Sequence, residues 1–194
     1  MRKGLPFRRT PELLKATPVL RRSLARIIIR SGFGKAEPFR TSDGKATFAP
    51  TTVVIFLTKQ HFDEIIAHAR EVMPHECCGL VGGREDGTTQ TIYRTRNVAA
   101  DPVVGYEAAP EDLFAAQRAM RERGEKLLAI YHSHPRATNP QPSPTDVRLA
   151  YYPSAVYLIV GLGNAVPCVR GFRIAERQGV WEPVEYKVIA PPID

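Results

Sequence analysis

The chain has 194 residues and 43% apolar content, enough for one domain with a substantial core, and no apolar run approaches the roughly 20 residues a membrane-spanning helix needs. Its net charge of +7 sits at the front: residues 1–50 carry twelve Lys/Arg against three Asp/Glu (+9), while residues 51–194 carry fifteen against seventeen (−2). The basic balance therefore does not mark the patterned part as a nucleic-acid binder, and three cysteines (Cys77, Cys78, Cys168) are too few for a disulfide framework and fit a reducing, cytoplasmic setting.

Residues 1–50 form a basic N-terminal extension, expected to be poorly ordered or partly helical. Leu20, Leu24, Ile27 and Ile28 fall at helical spacing, with Arg21, Arg22, Arg26 and Arg30 between them. Such a face could rest on an anionic membrane or an acidic partner. Residues 34–52 read as a Pro/Gly/Ser/Thr linker.

Strong patterning begins at Val53, so residues 51–190 are expected to be the functional domain. Val53 to Leu57 reads as a strand. Phe62, Ile65, Ile66, Ala69 and Val72 then recur at helical spacing up to Met73-Pro74. Glu76 to Gly83 is a short apolar strand with glycines, Glu85-Asp86-Gly87 a turn, and Gln90 to Val98 another strand. Pro110-Glu111-Asp112 opens a second helix, which buries Leu113, Ala116 and Met120 and stops at Gly124. Leu127 to Tyr131 is an apolar central strand running into His132, and Ser143 to Tyr151 is a short helix. Ala155 to Gly161, Pro167 to Ile174 and Val180 to Val188 complete the strands. This order predicts an α/β (α+β) domain with a mixed sheet flanked by helices.

The chemistry concentrates in Tyr131-His132-Ser133-His134-Pro135 and Pro142-Ser143-Pro144-Thr145-Asp146. Strand side chains alternate, so His132 and His134 share a face and Ser133 points away. Two imidazoles and a carboxylate returning after a Pro-rich loop can make a three-ligand zinc site with one open position. Ser143-Pro-Thr-Asp146 also has the form of a helix cap with an acid three residues on, and both readings can hold together. Cys77 and Cys78 are adjacent on a strand and face opposite sides, so they read as packing residues, as does Cys168, and not as one metal site.

Glu76-Cys-Cys-Gly-Leu, His132-x-His134-Pro and Ser143-x-x-Asp146, in that order, resemble the JAMM signature of the MPN-domain metalloproteases, over about residues 53–190. The His134-to-Ser143 interval is one residue longer than the family's commoner spacing. The resemblance implies the MPN/JAMM (cytidine-deaminase-like) fold and one Zn²⁺ per chain held by His132, His134 and Asp146. It further implies Glu76 as the general base and Ser143 as a group steadying the oxyanion.

Within that superfamily the chain looks most like the small bacterial Mec-type branch. That likeness implies hydrolysis of a peptide bond near the C-terminal Gly-Gly tail of a ubiquitin-like sulfur carrier protein, by cysteine release or by tail trimming. Gly79, Gly82 and Gly83 would suit close approach of such a tail, and Tyr106 lies in an aromatic segment similar to one in relatives. A deubiquitinase-type isopeptidase and a catalytically silent MPN scaffold are the alternatives, and a DNA-repair-associated RadC type is a further one. The first usually carries insertions not seen here, the second would have lost ligand residues, and the third carries a helix-hairpin-helix region. No nucleic-acid partner is expected, and a homodimer stays open.

Overall fold

The computed structural model describes residues 54–175 and 180–190, so the expectations for residues 1–50, for the linker and for Val53 fall outside the described residues. Strand β1 (Ile55–Thr58) leads into helix α1 (Lys59–Glu71), followed by β2 (Cys78–Gly83) and β3 (Thr89–Thr95). Helix α2 (Pro110–Arg123), β4 (Lys126–His134), α3 (Pro144–Arg148), β5 (Val156–Gly161), β6 (Cys168–Ala175), β7 (Val180–Val184) and β8 (Tyr186–Ile189) complete the order.

Six strands form a mixed sheet in the order β3-β2-β4-β5-β6-β7, and β1 pairs with β8 in parallel beside it. Within the six, only β4 and β5 are parallel neighbours. Val180 to Val188, expected as one strand, is two. Val180–Val184 completes the large sheet against β6, and after Glu185 the chain leaves it to pair with β1. Pro183 lies on this edge strand, the position a residue without a backbone donor tolerates.

Alternation along the central strands divides two cores. Ala129 and Tyr131 of β4, with Val156, Leu158 and Val160 of β5, pack with Ile65 and Ala69 of α1 and with Ile55 and Leu57 of β1. Ile130, Tyr157, Ile159, Phe172 and Ile174 point the other way, onto Ala116 and Met120 of α2 and Ala150 after α3. Strands buried on both faces read as unbroken apolar runs, as β5 does. Each fully buried large side chain, Ile159 or Phe172 for example, contributes about 1.5–3 kcal/mol.

Local signals set the helices. Thr58 Oγ1 accepts from His61 N (3.2 Å) at the start of α1. Pro110 opens α2 and Gly124, at φ 68°, closes it in the left-handed conformation. Gly79 meets a packing demand instead: a Cβ there would land on the ring of the fully buried Tyr131. That close passage lets β2 lie flat against β4 just before the histidines.

Candidate metal centre

The sheet places the three groups at the end of β4. His132 pairs with Cys78 on one side and Ile159 on the other, and is fully buried; His134 pairs with Gly161. Ser133 points to the opposite face, where its Oγ accepts the Cys77 N–H at 2.8 Å and its own N–H donates to the Cys77 carbonyl at 3.2 Å. The residue between the histidines thus ties β4 to the chain entering β2, directly after Glu76.

The Pro-rich loop after His134 is held from both sides. Ala137 N donates to His134 O (2.9 Å), Gly163 N to Ala137 O (3.0 Å) and Asn164 Nδ2 to Thr138 O (3.1 Å). At Gly161 a Cβ would strike Ala137 O and Pro140. The chain then enters α3 through a reciprocal cap: Ser143 Oγ accepts from Asp146 N (3.2 Å) and Asp146 Oδ2 from Ser143 N (2.7 Å). Helix α3 ends at Arg148, short of the expected Tyr151.

Three atoms converge. His132 Nε2 and His134 Nε2 are 3.1 Å apart, and Asp146 Oδ2 lies 3.4 Å from the first and 3.3 Å from the second. Ligands about 2.0–2.1 Å from a tetrahedral zinc are about 3.3–3.4 Å from one another. The triangle therefore has the dimensions of one face of such a tetrahedron, and the donor set is that of a catalytic site with one position to spare. Among the described residues this is the one group of three or more such side chains with metal-binding geometry.

Charge fits the same purpose. Burial favours neutral His132 and outweighs the bond from Asp146, so its pKa is lowered. Burial pulls on His134 too, but the bond and charge of Asp146 outweigh it and the pKa is raised. Burial opposes the Asp146 carboxylate, yet its bonds to both histidines and to Ser143 N hold its pKa well below the usual carboxylate range. Asp146 as a carboxylate and His132 as a neutral imidazole are thus in ligand form near neutral pH, while at His134, whose pKa is raised, a bound metal ion would displace the proton.

Glu76 sits beside this group. It is 6% exposed, and burial raises its pKa to about 7, with the neighbouring His134 working against the rise. Its Oε2 and the Nδ1 of His132 are buried without a hydrogen-bond partner. Glu76 and His134 line one cleft of about 350 Å³ with Pro74, Val103, Val104, Pro135, Arg136 and Ala137. A buried carboxyl that opens on a cleft and titrates near neutrality has the properties of a general base.

The ring of Tyr106 stacks on His132, with centroids 4.4 Å apart and planes at 25°. Burial pushes its phenol well above the ordinary value, so it stays protonated. Asn97 binds the backbone of both Glu76 and Gly105, which joins Glu76 to the loop carrying Tyr106. Reading the sequence leaves Tyr106 without a role and passes over Asn97 entirely, since a lone Asn between strand and loop looks like any turn residue.

No cysteine joins the His132, His134 and Asp146 group, although Cys78 is the cross-strand neighbour of His132. Cys77 and Cys78 are buried free thiols with pKa values pushed up by burial to about 12 and about 11, and Cys77 packs in the α1-side core. Cys168 is a half-buried free thiol on β6.

Comparison with known proteins follows the same outline. The family described as prokaryotic homologs of the JAB domain matches residues 58–175. The desampylase of Haloferax volcanii is 41% identical over 102 residues, covering 50% of this chain and 73% of its own length. A probable TtuB-protein conjugate cleaving protease of Thermus thermophilus is 34% identical over 128 residues (66% and 81%). The CysO-cysteine peptidase of Mycobacterium tuberculosis is 31% identical over 135 residues (69% and 92%). A solution structure of a Desulfitobacterium hafniense protein matches with TM-score 0.64 at 34% identity, covering 71% of this chain and 94% of that one.

Proposed function

The chain belongs to the family of prokaryotic homologs of the JAB domain, within the JAMM/MPN proteins, and on that premise we propose that it is a zinc-dependent metallopeptidase. Its substrate is the C-terminal Gly-Gly tail region of a ubiquitin-like sulfur carrier protein. The observation that carries this reading is the triangle of His132 Nε2, His134 Nε2 and Asp146 Oδ2, matched in size to a tetrahedral face and placed next to a buried carboxyl. The relatives named as a CysO-cysteine peptidase and a TtuB-conjugate protease support the class of substrate.

His132, His134 and Asp146 would hold one Zn²⁺ per chain. Bound there, zinc would lower the pKa of water to about 7 and polarise the scissile carbonyl. Glu76, buried and poised near neutrality, takes a proton from the attacking water and returns it to the departing amine. Ser143 Oγ already accepts the Asp146 N–H, which leaves its own hydrogen free to donate to the developing oxyanion. The cleft lined by Val103, Val104, Pro135 and Ala137 opens beside Glu76 and His134, where the tail would lie. Low cysteine content fits a cytoplasmic enzyme, and among the described residues no helix is long and apolar enough to cross a membrane.

One experiment separates the outcomes. Zinc-loaded protein is incubated with Gly-Gly-tailed carriers bearing C-terminal extensions, and product masses are read. Loss of the extension, abolished by a chelator and reduced at least a hundredfold by Glu76→Gln with zinc retained, is the expected result. Intact carriers in every reaction would refute the proposal. The conjugate-cleaving relative favours a second reading, an isopeptidase, in which the same protein would free a carrier from lysine and leave linear extensions untouched.

A further inference from the structure

The loop of residues 97–108 forms the wall of the cleft opposite the Pro-rich segment. Its neck is closed by the Asn97–Ala108 bridge and by Arg96, whose guanidinium grips Asp112 of α2 through two bonds of 2.9 Å. It contributes Val103 and Val104 to the cleft and lays Tyr106 on His132. Glu76 has both of its backbone groups bound to this neighbourhood: its N–H donates to Pro102 O (2.7 Å) and its carbonyl accepts from Asn97 Nδ2 (2.9 Å).

Asn97 uses its whole carboxamide. Nδ2 donates to Glu76 O and Gly105 O (3.0 Å), while Oδ1 accepts from Ala99 N (3.0 Å) and Glu107 N (3.1 Å). Two donors meet two carbonyls and two lone pairs meet two amides, so the orientation of the amide is fixed by its partners. No other side chain of this length can do it: Asp lacks both donors, and Gln places the amide one methylene too far.

We infer that Asn97 is a positioning residue that makes Glu76 and the Tyr106-bearing loop a single unit, so that the base and the ring packed on a metal ligand keep a fixed relation. The inference rests on Glu76 acting as the base. Glu76 N and the following Cys77 are held by Pro102 O and Ser133, and Asn97 Nδ2 is the donor that meets Glu76 O and couples it to Gly105. A displacement near 1 Å at a catalytic group can cost about a hundredfold in rate.

Asn97→Asp is the selective variant. It keeps an oxygen for Ala99 N and Glu107 N and turns the other against two carbonyls. With zinc content unchanged, kcat is expected to fall about tenfold to a hundredfold and KM to change less than about threefold. In the Glu76→Gln background the same substitution should add no further loss. Wild-type kcat in a folded, zinc-loaded Asn97→Asp protein, or an undiminished further loss in that background, would overturn the inference. A second measurement needs neither substrate nor metal, nor a variant that folds. In metal-free native protein, the Asn97 side-chain amide protons and the Glu76 backbone amide are expected to exchange slowly and together. Fast exchange of either would overturn the clamp, whatever becomes of the assigned activity.

Discussion

One carboxylate oxygen does two jobs at this centre. Asp146 Oδ2 accepts the Ser143 N–H that starts α3 and also forms the third corner of the triangle with both imidazoles. The two roles can be separated. Asp146→Asn keeps an acceptor for the cap and is expected to cost about 1 kcal/mol or less in stability by thermal melting, but to abolish stoichiometric zinc. Glu76 makes an opposite kind of prediction. Its folded pKa lies near 7, above the ordinary 4.5, so the metal-free fold binds a proton that the unfolded chain releases between those values. Stability is therefore lost as pH rises through that window. Glu76→Gln should stabilise metal-free protein in chemical denaturation at pH 8 far more than at pH 5, by up to about 3 kcal/mol; an equal gain at both values would contradict the buried, unpaired carboxyl. At this scale the histidines were legible, because period two on a strand places both on one face. Tyr106 and Asn97 were not, since stacking and backbone clamping leave no spacing in the sequence.

Among the elements, β4 does most to set the site, and its alternation divides the work. His132 and His134 face the cleft side while Ser133 reaches the chain entering β2. Ser133→Ala leaves the buried Cys77 N–H without its acceptor and is expected to destabilise by about 1–3 kcal/mol in chemical denaturation. It should also reduce turnover, because Cys77 adjoins Glu76. Strand and helix identities followed from periodicity and from Pro, Gly and Asp/Glu signals. Their ends did not always follow. The break falls at Glu185, which is no turn residue itself, and beyond it Tyr186–Ile189 pairs in parallel with Ile55–Thr58, a long-range partner that local pattern does not reveal. Helix α3 stops early since the chain from Leu149 onward turns to bury Ala150 under β5.

At the level of the whole molecule, element order predicted a mixed sheet with helices against it, and the structure has that architecture. Which strands are neighbours was not legible: placing β4 between β2 and β5, with the histidines at the centre, depends on long-range pairing that local patterns do not encode. The charge asymmetry gives one more expectation. Protein lacking residues 1–50 should keep its zinc and peptidase activity but lose retention on a cation exchanger, since residues 51–194 carry a net −2; lost activity would place part of the working domain in the extension. The most direct measurement is elemental analysis of native protein beside a His132→Ala/His134→Ala/Asp146→Asn variant of equal helicity, both purified without chelators. One zinc per chain in the native protein and none in the variant is expected. Native protein devoid of metal in every preparation, or a variant that keeps its full complement, would contradict the site.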